Sequence, residues 1–216
     1  MVQKKYFITY GSKNFDFQKK HLINLVKNSD FFDKTISLGP IDLPSSFKAK
    51  HSDLLENPDG LSHWTSHWIW KYEIIRNLLT QINSQDIVFY SDAGSSFNVN
   101  GLKRLKDYVE IINNSDTGNL RFEIPLVEKN WTNWKIFEFF DVQNSKDITD
   151  TNTLAANHFG LLKNEVTETI YNEFHRLIEF DPKLITNDYD KIDQIPTFQR
   201  NTADQSILSV LSKIYG

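Results

Sequence analysis

Ile87-Val88-Phe89-Tyr90-Ser91-Asp92-Ala93-Gly94 reads as a short buried strand that ends in an acidic residue and a glycine. A continuously apolar run of this kind is expected where both faces of a strand are covered, as in sheets packed between helices. In open α/β sheets, ligands bind in the crevice outside the carboxyl ends of the strands, which is where Asp92 and Gly94 would stand. On spacing alone Asp92-Ala93-Gly94-Ser95 is equally a turn, because Asp and Gly are leading turn formers.

The flanking sequence supplies the helices. Ile74, Ile75, Leu78, Leu79 and Ile82 draw one apolar stripe, closed by Asn83-Ser84-Gln85 directly before the strand. At the start of the chain, Tyr6 to Thr9 reads as a strand ending in Tyr10-Gly11-Ser12. Phe17 to Val26 follows at helical spacing, and Lys34 to Leu38 reads as a second strand closed by Gly39-Pro40. Strand, helix, strand is the signature of parallel strands joined by crossover helices. Further on, Leu102 to Ile112 and Val166 to Ile178 carry helical stripes, while Phe122, Ile124 and Leu126 alternate as in a half-buried strand. Thr202-Ala203-Asp204-Gln205 has the form of a capping box opening a last helix with Ile207, Leu208, Leu211 and Ile214 on one face. Residues 40 to 66 and 141 to 153 lack periodicity and read as loops. The expectation is one α/β domain over residues 1–216, with a mostly parallel central sheet flanked by helices, no internal repeat and no linker.

Composition narrows the chemistry. With 216 residues the chain can bury a sizeable core. A formal net charge of −4 argues against a nucleic-acid partner, which needs a basic face. The chain has no cysteine, so thiolate nucleophiles, disulfides and cysteine–zinc sites are excluded. No apolar run approaches the ~20 residues of a transmembrane segment, and the opening Met1 to Tyr6 lacks a signal peptide's apolar stretch. A cytoplasmic protein is expected. Sixteen phenylalanines, eight tyrosines and five tryptophans are available for a core and for stacking on flat ligands.

Four places could carry chemistry. Asp92 could bond a ribose or sugar hydroxyl or hold a divalent cation, and Gly94 would let a ligand approach the backbone. In Trp68-Ile69-Trp70-Lys71 the alternation lets one indole face the core and the other a cleft, while Lys71, at the opening of a helix, could neutralise a phosphate. His63 and His67 stand four apart but in no metal motif, and His158 reads as structural or substrate-facing. Asp204 suits a helix's first turn through the dipole alone.

Three of these blocks together resemble the small GT-A-fold glycosyltransferases of bacterial and viral surface-polysaccharide clusters. Trp68-Ile69-Trp70-Lys71, then a helix and Tyr90-Ser91-Asp92-Ala93-Gly94, is similar to the family's Trp-x-Trp-Lys-Pro and Tyr-x-Asp-Ala-Gly blocks; Asp204-Gln205-Ser206-Ile207-Leu208 matches its Asp-Gln-Ser-Ile-Leu block. Phe7 to Gly11 is similar to the opening strand and turn, and looser likeness runs through Trp131 to Lys135 and Ala155 to Lys163. The resemblance implies a nucleotide-sugar donor, first of all a UDP-sugar, and a glycan or other hydroxyl acceptor. It implies that Thr9, Tyr10 and Gly11 line the nucleotide pocket, that Asp92, Ala93 and Gly94 hold the donor, that Lys71 helps with its phosphates, and that Asp204 lies near the acceptor or reacting sugar as general base or acceptor ligand. Two departures stand out. Tyr72 replaces the family's proline, and the second acid of the Asp-x-Asp motif, which meets the metal in this fold, is Gly94. Asp92 alone would be left as a metal ligand, so a requirement for Mn²⁺ or Mg²⁺ stays open. The alternative is a sugar- or nucleotide-binding module of the same fold without turnover; a nucleotidyltransferase lacks a compact glycine- and lysine-rich loop near residues 9 to 20.

Overall fold

The structure, a computed structural model, describes residues 2–55 and 68–216; His63 and His67 lie outside the described residues. Its strands are β1 (Lys5–Tyr10), β2 (Lys34–Leu38), β3 (Ile87–Ser91), β4 (Asn119–Leu120), β5 (Glu123–Val127), β6 (Asn152–Leu154) and β7 (His158–Leu162). The helices are α1 (Asp16–Asn28), α2 (Ser45–Lys50), α3 (Ser52–Leu55), α4 (Trp70–Leu79), α5 (Leu102–Asn114), α6 (Glu128–Trp131), α7 (Trp134–Phe139), α8 (Lys146–Thr149), α9 (Glu165–Phe180) and α10 (Asp204–Tyr215).

The apolar run at residue 87 forms the middle strand of a five-stranded sheet ordered β2-β1-β3-β7-β4. Strand β1 pairs in parallel with β2 and with β3, Lys5 lying opposite Ile87. Strand β7 pairs antiparallel with β3, Tyr90 opposite Phe159, and β4 pairs antiparallel with β7. The sheet is therefore mixed rather than mostly parallel. The strand β7 behind this difference went unread because His158-Phe159-Gly160-Leu161-Leu162 is short and opens on a polar residue.

Side chains alternate across the sheet, as the period of two requires. Ile8, Val88 and Tyr90 join one core with Ile75 of α4, Phe174 of α9 and Ile207 of α10. Phe7, Ile87 and Phe89 join a second core with Leu22 of α1 and Ile112 of α5. Helices thus cover both faces, and the continuous apolarity of β3 has its physical reason.

Helix α4 ends at Leu79, earlier than Ile82, because a turn is fastened there. The buried Asp86 carboxylate accepts from the N–H of Asn83 (3.0 Å) and of Lys4 (2.9 Å), tying the helix end to the entry of β1. Residues 40 to 55 are not loop but carry α2 and α3, with Phe47 buried against Tyr72. The polar stretch from 141 is likewise not all exposed, since Ile148 and Thr153 are buried in α8 and β6. Among the described residues no helix is long and apolar enough to cross a membrane.

Candidate functional site

The carboxyl ends of β1 and β3 open on the same cleft. Gly11 follows β1 so closely against Ala93 that a Cβ on Gly11 would stand 3.0 Å from the Ala93 Cβ. Its N–H is held by the Leu38 carbonyl at 3.1 Å, and Lys19 of α1 donates to the Gly11 and Leu38 carbonyls at 3.0 Å each. Thr9 is fully buried beneath this rim rather than lining it. Tyr10 stacks on Trp70, ring centroids 4.0 Å apart and 19° from parallel.

Asp92 is held from three sides. Its N–H donates to the Asn157 carbonyl (2.8 Å), its Oδ1 accepts from the Tyr90 hydroxyl, and the Lys71 Nζ stands 3.4 Å from the same oxygen. The Ser95 N–H closes a turn onto the Asp92 carbonyl at 2.9 Å. The turn and the site readings of Asp92 thus hold at once: the turn aims a carboxylate that remains 28% exposed.

Lys71 is the centre of the cluster. It is 1% exposed, and its ammonium meets Asp204 Oδ2 at 2.6 Å, the Ala156 carbonyl at 3.0 Å and Asp92 Oδ1 at 3.4 Å. An ammonium has three donors, and here three acceptors surround it. The Tyr90 ring face lies 5.1 Å away and adds to the cation's stabilisation. Asp204 is 3% exposed at the first position of α10. Two carboxylates share one ammonium, so the trio carries excess negative charge, and the more deeply buried acid bears it worst. Burial first and the Asp92 charge second push the Asp204 carboxyl up to about 6, against the opposing pull of Lys71. Lys71 itself is held above its usual value by the two acids, which outweigh its desolvation.

The start of α10 is built differently from a capping box. No side chain caps Ala203. Instead Ser206 Oγ and Thr202 Oγ1 lie 2.8 Å apart and 2.8 and 3.1 Å from the Trp131 carbonyl, so that one hydroxyl donates to the carbonyl and the other to its neighbour or to the same carbonyl. This anchor leaves Ala203 at φ 58°, ψ −128°, and Trp68 has φ 55°. Non-glycine residues rarely occupy that region, and where they do, the surroundings impose it. Both strained residues border the cluster.

Two cavities meet there. One, of about 370 Å³, lies between Tyr10, Phe15, Trp70 and the Asp92–Ser95 turn. The other, of about 350 Å³, reaches Lys71 and Asp204 and is walled by Trp131, Arg200 and Gln205. Trp68, Asp92 and Asn157 line both. The Arg200 guanidinium lies 5.7 Å from the Trp131 ring centre. The alternation of Trp68 and Trp70 therefore places one indole half-buried between the cavities and the other, 5% exposed, against Tyr10. His158, paired with Ser91, rests its ring on Phe122 at 4.8 Å beside a third, aromatic cavity of about 400 Å³ that shares Ser95 and Asn157 with the Asp92 cavity.

Sequence reasoning thus selected Tyr10, Lys71, Asp92, Ala93, Gly94 and Asp204, which the fold brings to the two joined cavities, whereas Gly11 is buried against Ala93 beneath them and lines neither. Sequence reasoning missed Tyr90, Asn157 and Trp131. Tyr90 could have been found, since a residue two before Asp92 on a strand shares its face; Asn157 and Trp131 arrive only through tertiary structure. No protein-family model matches the chain, and no curated protein matches it.

Proposed function

We propose that this protein is a GT-A glycosyltransferase that moves a sugar from a nucleotide-sugar donor, a UDP-sugar first of all, to a hydroxyl of a glycan or similar acceptor. The observation that supports this reading best is the Lys71-linked pair of carboxylates at the junction of two cavities. One cavity has a stacked aromatic wall suited to a nucleotide and the other a tryptophan wall suited to a sugar. Asp92, partly exposed at the cavity junction, would accept hydrogen bonds from hydroxyls of the donor. Asp204 would take the acceptor hydroxyl's proton as that oxygen bonds to the sugar's anomeric carbon and the bond from that carbon to the diphosphate oxygen breaks. A base whose pKa lies near the working pH suits that task, and about 6 is far better placed than an ordinary carboxylate. Lys71, buried and ion-paired with both acids, serves to hold them rather than to grip a phosphate directly.

Trp68 and Trp70 report on the donor side without labels, because both border the Asp92 cavity. Titration with UDP should change tryptophan fluorescence saturably in the wild type and much more weakly in Asp92→Asn. A wild-type protein whose fluorescence and calorimetric heat are both unmoved by UDP and by UDP-sugars would refute the reading.

A further inference from the structure

The GT-A fold ordinarily implies a divalent cation between its acidic motif and the donor's diphosphate, so the residues present must be asked whether they fit one. They do not. The second acid is Gly94, whose place leads onto the Phe15 ring 3.5 Å from where a Cβ would be. The remaining acid, Asp92, offers Oδ1 to the Tyr90 hydroxyl and to the Lys71 ammonium. Asp204, the other carboxylate within reach, meets the same ammonium at 2.6 Å. Hard divalent ions need several oxygen ligands at about 2.0–2.6 Å, and among the described residues no three His, Cys, Asp or Glu side chains are grouped to hold a metal. An ion bound to either of these oxygens would face a fixed positive charge that has nowhere to go: Lys71 is buried, second in a helix whose neighbours Trp70 and Tyr72 are also buried, and fastened to the Ala156 carbonyl.

We infer that Lys71 is a built-in cation that takes the place of the divalent ion between Asp92 and Asp204, so that the donor nucleotide binds without metal. The inference rests on the glycosyltransferase reading and deepens it. Lys71 supplies a positive charge beside Asp92 at all times, which lessens the repulsion between that carboxylate and an incoming diphosphate. It also keeps Asp92 a hydrogen-bond acceptor for donor hydroxyls rather than a metal ligand. A lysine can fill this role where an ion cannot, because its ammonium donates to the Ala156 carbonyl while lying 2.6 Å from one carboxylate and 3.4 Å from the other.

The test compares UDP binding by calorimetry in EDTA with binding in excess MnCl₂, and follows Mn²⁺ uptake by the nucleotide-free protein through its electron paramagnetic resonance signal. The expected result is a UDP affinity that agrees within about threefold between the two buffers, with no Mn²⁺ taken up by the wild type. Lys71→Ala, if folded by circular dichroism, should gain a Mn²⁺ site at the three oxygen groups the ammonium vacates, the two carboxylates and the Ala156 carbonyl. UDP bound only when Mn²⁺ is present, or wild-type Mn²⁺ uptake that disappears in Asp92→Asn, would overturn the inference while leaving the glycosyltransferase reading intact. A folded Lys71→Ala that takes up no Mn²⁺ would overturn the claim that the ammonium fills an ion's place. No UDP binding in either buffer would instead remove the glycosyltransferase reading, and the inference with it.

Discussion

Asp204→Asn should separate stability from activity in opposite directions. In the folded protein burial raises the Asp204 carboxyl from 3.8 to about 6, and this figure already includes the attraction to Lys71, which acts the other way. The folded state therefore holds the Asp204 proton more tightly than the unfolded chain does. Stability from this group is full below about pH 4, falls as pH rises through about 6, and stays lost above it. At 1.36 kcal/mol per unit the loss amounts to about 3 kcal/mol at pH 8, with about half of it incurred by pH 5. Asparagine is close to the protonated acid in shape and charge, and Lys71 keeps Asp92 and the Ala156 carbonyl as partners. The variant should thus unfold in urea at a higher midpoint than the wild type at pH 8, with the gap narrowing toward pH 5. Its turnover of UDP-sugar should fall roughly 10²–10⁴-fold, the usual loss on removing a general base. Wild-type turnover should decline below about pH 6 as Asp204 takes up its proton. An Asp204→Asn protein that is less stable at pH 8 and turns over normally would reduce Asp204 to half of a structural ion pair.

Lys71→Met leaves the buried Asp204 and the part-exposed Asp92 without their shared cation and should cost about 3–5 kcal/mol in urea unfolding at pH 8, opposite in sign to Asp204→Asn. Glu128 is fully buried with Thr132 at 2.6 Å, Ser209 and Lys213 at 2.6 Å, linking α6 to α10 behind the site. Glu128→Ala should be similarly destabilising, about 3–5 kcal/mol by the same measurement. Gly118 has φ 64°, and a Cβ there would stand 2.5 Å from Leu162 Cβ; Gly118→Ala should lower stability by about 1–3 kcal/mol, read as a drop in melting temperature.

Much of the fold was legible because its signals are local. The stripe of Leu22, Ile23 and Val26, the apolar strands at 6 and 87 and the stripe ending at Ile178 each declare their element within one window. What was not legible is what only packing decides. Strand β7 is antiparallel because its chain returns beside β3, a fact carried by no residue in His158 to Leu162. Thr202 and Gln205 have the spacing of a capping box, yet Thr202 is claimed by Ser206 and the distant Trp131 carbonyl, so tertiary bonding overrode the local pattern. The site follows the same division. Asp92 and Gly94 were visible at a strand's end, but that one buried lysine would join Asp92 to Asp204, more than a hundred residues away in the chain, depends on α4 and α10 both packing against that face of the sheet.

Glycosyl transfer is measured by incubating the purified protein with a panel of UDP-sugars and following released UDP, for the wild type beside Asp92→Asn. A glycosyltransferase should release UDP from at least one donor in the wild type and lose that release almost completely in Asp92→Asn, with the fold retained by circular dichroism. Release that is equal in the two proteins, or absent from the wild type with every donor and with added glycan acceptors, would contradict the proposed function.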